Sequence, residues 1–161
     1  MNNHAVENIL LDCDNEIATI QVAMSQSPLS STNMYLTRYA LIKACSAIER
    51  GYKRIVADYY IAKCAELAPY LEKKVVNSST NPTYESICTL VRDFNVQTER
   101  NFKTSVQSLA NYNQVVTQLH SLVTNRNNFA HGQAVSCSLT DIISYYDCAK
   151  CVIMCLDSVI C

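Results

Sequence analysis

The segment Arg126-Asn127-Asn128-Phe129-Ala130-His131-Gly132 holds the residues of this chain whose types and spacing could do chemistry. A guanidinium, a carboxamide and an imidazole within two helical turns are the parts needed to handle a phosphodiester. Arginine keeps its charge at any physiological pH. Its planar fork can bind two phosphate oxygens at once, so Arg126 suits the charge that builds up on a pentacoordinate phosphorus. Imidazole is the side chain whose ordinary titration lies nearest neutrality, which fits His131 for general acid–base work. Asn127 has both a donor and an acceptor and can hold a neighbouring group or the scissile phosphate.

Spacing limits this reading. Positions five apart on an ideal helix differ by about 140° around the axis and about 7.5 Å along it, so Arg126 and His131 would act poorly together on one straight helix. The helix is therefore expected to end or distort within the motif. Gly132 marks that end, because glycine takes the left-handed conformation of a helix C-terminus without a Cβ penalty. The same residues can also be read as C-terminal capping alone, with cations set against the helix dipole.

The elements that must position the motif read as helices. Val6, Ile9, Leu10, Cys13, Ile17, Ile20 and Met24 recur at three- and four-residue steps and predict a helix from about Val6 to Met24, preceded by a frayed end containing His4. A loop around Pro28 leads to a Ser31 or Thr32 cap. A long second helix then runs from about Asn33 into the 59–65 region, with Gly51 marking a close helix crossing or a kink. Pro69 breaks or redirects the chain, and 77–82 is a polar loop. Further helices are predicted over about 83–94, 97–110 and from Tyr112 to the motif. A last one starts at a Ser138 or Thr140 cap.

Composition points the same way. The 161 residues include only two glycines and three prolines, which favours a single all-α domain over residues 1–161, a compact up-and-down helical bundle. The net charge of −1 supplies no global field for nucleic acid, so any polyanion contact must be local. Lys53, Arg54, Lys73, Lys74, Arg92, Arg100 and Lys103 are the candidate cations, each also readable as a solvated surface charge. Met1 is followed by polar residues and no apolar run approaches the length of a bilayer span, so a cytoplasmic protein without a membrane partner is expected. Nine cysteines is an odd count. Cys13, Cys45, Cys148, Cys151 and Cys155 fall beside Ile and Val at helical spacings, and the thiols read as reduced core groups rather than as metal ligands, since one CxxC offers two of the four ligands a zinc site needs. His4 and His120 have no ligand partner at a useful spacing. The tyrosine pairs Tyr59-Tyr60 and Tyr145-Tyr146 read as packing residues before base-stacking ones.

The stretch Asn125-Arg126-Asn127-Asn128-Phe129-Ala130-His131-Gly132 resembles the R-N-x-x-x-H signature of the HEPN superfamily, and in particular its RiboL-PSP-associated branch. The segment Leu36 to Glu49, the helix before the motif and the closing helix with Tyr145-Tyr146 are similar to that branch at the level of pattern. The resemblance implies a helical bundle that dimerises and brings two motifs face to face. It further implies metal-independent endoribonuclease cleavage in which the ribose 2′-OH attacks the adjacent phosphate, with no cofactor. Carried onto this chain, His131 would be the general acid or base, Arg126 the transition-state clamp and Asn127 the positioner. Glu49 is a candidate to orient or balance Arg126 or His131, with a solvated or capping role as the alternative. The expected partners are an RNA substrate, a second copy of the chain and an antitoxin or defence-system component, for a toxin or antiphage effector. A catalytically silent helical module that binds a partner is the rival reading. Gln133 and Ala134 follow Gly132 where nucleotide-silenced relatives carry a tyrosine two residues after the histidine, so silencing of that kind is not expected.

Overall fold

Apolar stripes with helical period become seven α-helices and no strand in the computed structural model, which describes residues 1–161. Helix α1 (His4–Gln26) buries Val6, Leu10, Cys13, Ile17 and Ile20 on one face. Its start is not frayed. The Asn3 side chain accepts from the Val6 N–H at 3.0 Å, and the Asp157 carboxylate accepts the Asn2 and Asn3 amides at 2.6 and 2.9 Å. That anchor comes from the far end of the chain, where a local pattern cannot show it.

Helix α2 (Asn33–Lys63) packs antiparallel to α1, with Tyr39 and Lys43 both bonded to Glu16 near one end and Gly51 against Val6 nearer the other. Neither Ser31 nor Thr32 caps it. Thr32 is already helical and makes no capping bond, and the turn is held by the Asn33 amide, which donates to the carbonyls of Ser27 and Pro28. Gly51 marks a close crossing: a Cβ there would meet Val6 Cγ1 at 3.4 Å and Ile153 Cγ2 at 3.7 Å. The absent side chain lets α1 and the last helix approach α2 from two sides.

Helix α2 ends at the extended Cys64, five residues before Pro69. A 3₁₀ turn (Ala65–Leu67) follows, then the short α3 (Ala68–Leu71) with Pro69 in its first turn, where a missing N–H costs nothing, and a π-helical turn (Glu72–Val76). After the polar loop come α4 (Tyr84–Phe94) and α5 (Val96–Gln107). Asn95 joins them: its N–H donates to the Val91 carbonyl and its side chain accepts from the Thr98 N–H. Helix α6 (Tyr112–Ala130) and α7 (Leu139–Ile160) form a hairpin in which Ser144 donates to Gln118. Ser138 and Asp141 make a reciprocal capping box at the start of α7, worth about 1 kcal/mol, and the same bonds hold the Asp141 carboxyl below the usual range.

One continuous core of 33 buried residues draws on α1, α2, α4, α5, α6 and α7, and a small satellite of Ala57, Leu71 and Val75 seats the α3 region on α2. All nine cysteines are free thiols, five of them buried. Tyr146 is buried with its hydroxyl donating to the Leu10 carbonyl, and Tyr60 stacks on Phe94 with centroids 4.5 Å apart. No helix is long and apolar enough to cross a membrane.

The crossing at Gly51 predicts a graded response to side-chain size. Gly51→Ala gains helix propensity of up to about 1 kcal/mol against a tight contact and stays within about 1 kcal/mol of the wild type. Gly51→Leu overpacks the crossing and loses roughly 1–3 kcal/mol. Urea unfolding of the two variants measures both.

Candidate functional site

The motif occupies the last turn of α6, and the backbone there follows from Gly132. The helix stays regular through Ala130 and ends inside the motif, with Gly132 just past its C-terminus as expected from the sequence. His131 is the C-cap residue, its N–H still donating to the Asn127 carbonyl at 3.0 Å. Gly132 takes φ +76°, its N–H donating to the Phe129 carbonyl at 3.0 Å, and the Gln133 N–H donates to the Asn128 carbonyl at 2.8 Å. These two bonds form a Schellman motif, which satisfies carbonyls the helix end would otherwise leave open.

The structure brings two of the three motif side chains together. Arg126 is half-buried, and its Nη1 donates to Asn127 Oδ1 at 3.2 Å and to Asn81 Oδ1 at 3.0 Å. His131 is exposed and makes no side-chain hydrogen bond to either. A helix that remains regular up to the C-cap keeps Arg126 and His131 in different directions, as the 140° separation requires.

Glu49 does not touch the motif. Its carboxylate pairs with the buried Lys53 and accepts the Thr80 N–H at 3.3 Å, while Lys53 also donates to the Ser78 carbonyl. The pair thus pins the loop at 77–82 onto α2. That loop, read from sequence as a connector, delivers Asn81 to Arg126. Through this loop Glu49 is linked to Arg126.

Charge pairing sets two arginines apart. Among the buried and half-buried cations, Lys43, Lys53, Arg54, Lys103 and Lys150 each lie on a carboxylate. Lys53, Arg54 and Lys103 are therefore already neutralised locally, whereas Lys73, Lys74, Arg92 and Arg100 are exposed. Arg38 and Arg126 are the half-buried cations without a carboxylate, and both are at the motif: the Arg38 guanidinium lies over the Phe129 ring, 5.5 Å from its centroid. Arg38 and Asn81 are the residues that sequence reasoning missed. Arg38 lay inside the segment that carried the family pattern, so that segment was the available signal.

Cys45 is buried beside this site. Burial pushes its thiol up to about 12, opposed by the positive charge of Arg126, so it is not a nucleophile at neutral pH. No group of three His, Cys, Asp or Glu side chains converges on a metal-holding arrangement. The motif also lies apart from a cleft of about 240 Å³ lined by Thr83, Tyr84, Glu85, Val116, Thr117 and His120, farther back along α6.

A family model described as RiboL-PSP-HEPN matches residues 8–161. No curated protein and no solved structure matches the chain significantly.

Two stability predictions follow from this geometry. Gly132→Ala has open space around its new Cβ but a positive φ, and loses about 1–2 kcal/mol in a urea titration, with Gly132→Asn losing less. Glu49→Gln leaves Lys53 buried without its carboxylate and loses roughly 3 kcal/mol, read in the same titration.

Proposed function

The chain belongs to the RiboL-PSP-HEPN family, and from that premise we propose that it is an endoribonuclease that cleaves RNA by 2′-OH attack, without a metal ion, as a toxin or antiphage effector. The observation that carries this reading is the pair of guanidinium groups at the motif that no carboxylate neutralises, in a chain whose other shielded cations are all paired. Two uncompensated positive charges held partly out of solvent by amide and aromatic partners favour an anion of phosphodiester type.

In the proposed step the ribose 2′-oxygen attacks the adjacent phosphorus as a base removes its proton. The bond from phosphorus to the 5′-oxygen breaks, and that oxygen takes a proton from an acid. The products are a 2′,3′-cyclic phosphate and a 5′-hydroxyl. Arg126 binds the non-bridging oxygens as charge accumulates, with Asn127 and Asn81 holding its fork in place. His131, exposed at the helix end, supplies the proton transfers.

We place the reaction in a homodimer. One chain offers a single His131 that is not bonded to its own Arg126, whereas the step uses both a base and an acid. Two motifs facing each other supply two imidazoles and two arginines to one cleft. Met34, Tyr35, Tyr39 and Ile42 are exposed on the first half of α2, which also carries Arg38 against Phe129, and this apolar face is suited to association beside the motif. A protein partner that restrains the activity is part of the same proposal.

Purified protein incubated with mixed RNA in EDTA is expected to yield 2′,3′-cyclic phosphate ends, which vanish in His131→Ala and Arg126→Ala while both variants keep wild-type helicity. RNA that stays intact with the wild-type protein under all conditions would favour the silent binding module instead. Sedimentation showing only monomer at working concentration would remove the composite cleft.

A further inference from the structure

Arg38 carries an inference that rests on the nuclease reading and extends it to how the substrate is held. Its guanidinium lies over two aromatic rings, 5.5 Å from the centroid of Phe129 and 5.8 Å from that of Tyr35. Its Nε is shut off from solvent and has no hydrogen-bond partner, and no carboxylate reaches the group. Leaving a shielded donor unmet is unfavourable, a cost that proteins tolerate where a ligand is to be met.

The two rings attract the guanidinium and hold it near them, while the absence of a competing carboxylate leaves its Nη groups free to bind an anion. Phe129 is three residues from Arg126 and two from His131, so Arg38 is anchored from α2 onto the turn that carries the motif. Arg126 is held differently, by the amide oxygens of Asn81 and Asn127. The site therefore presents two forks from two helices, one supported by amides and one by aromatic faces.

We propose that Arg38 is a second phosphate-binding residue of the site, gripping a backbone phosphate of single-stranded RNA next to the one that is cut, with Phe129 and Tyr35 as the platform that orients it. The division of labour assigns the scissile phosphate to Arg126 and the register of the strand to Arg38. Arg38 is thus a substrate-binding residue whose loss acts on affinity before turnover.

The test uses the full chain carrying His131→Ala, which binds without cutting, and a fluorescein-labelled single-stranded RNA followed by anisotropy at several salt concentrations. Adding Arg38→Ala is expected to weaken binding about 10-fold and to reduce the slope of log K against log salt by about 0.7, the loss of one phosphate contact. Arg38→Lys keeps the slope but recovers only part of the affinity, because an ammonium cannot present a planar fork. In the cleaving protein Arg38→Ala raises KM more than it lowers kcat. Unchanged affinity and slope, with wild-type cleavage intact, would overturn the inference and leave the nuclease reading standing. Weaker binding accompanied by a lower Tm or by dissociation to monomer would make Arg38 a packing or interface residue and also overturn it. If wild-type protein neither binds nor cuts RNA, the nuclease reading fails and takes this inference with it.

Discussion

The ion pair of Glu49 and Lys53, sealed beneath the loop at 77–82, is the constraint on which the site's geometry depends. Lys53 is nearly fully buried, and separating it from its carboxylate would leave a shielded polar group without its partner. The same two side chains bind the Ser78 carbonyl and the Thr80 N–H, so the energetic need to keep the pair together also fixes a stretch of irregular backbone. The next residue but one from Ser78 reaches Glu49, and the one after that reaches Arg126. A buried charge on α2 thus aims a guanidinium on α6 through three residues of loop.

Helix ends do the remaining positioning. Asn3, Thr83, Asn95 and Ser138 each accept a backbone N–H at the start of a helix, and Gly132 closes α6 with a Schellman motif. The motif sits at the one helix end whose closure requires a positive φ. This places His131 at the surface while Arg126, one turn earlier, stays half-buried among amides. The exposure of His131 and the shelter of Arg126 both follow from where the helix stops.

Most of the fold could be read in the sequence because it is local. The extents of α2, α6 and α7 follow from their apolar stripes, with Gly132 closing α6 and Ser138 opening α7, and Gly51 was legible as a close crossing or a kink, between which only the tertiary packing decides. The motif was legible as a cluster because its residues are contiguous. What was not legible is tertiary. Asn81 is 45 residues from Arg126, Glu49 reaches across to the Thr80 N–H rather than to the motif, and Asp157 holds the amides of Asn2 and Asn3 from the opposite end of the chain. Periodicity records which face of a helix is buried and is silent about which polar group meets which. Arg38 was marked only by the segment that carried the family pattern, because its contact with an aromatic ring of another helix leaves no spacing to detect.

The anchoring of the first residues on Asp157 has a spatial corollary. Asn3 also donates to Asp58, and Asp58 and Asp157 both act on the thiol of Cys161, so the two extremities of the polypeptide meet at one pole. Arg38 lies twenty residues back along α2 from Asp58, about 30 Å toward the other pole. A reporter joined at residue 1 or residue 161 would start from the pole remote from the motif.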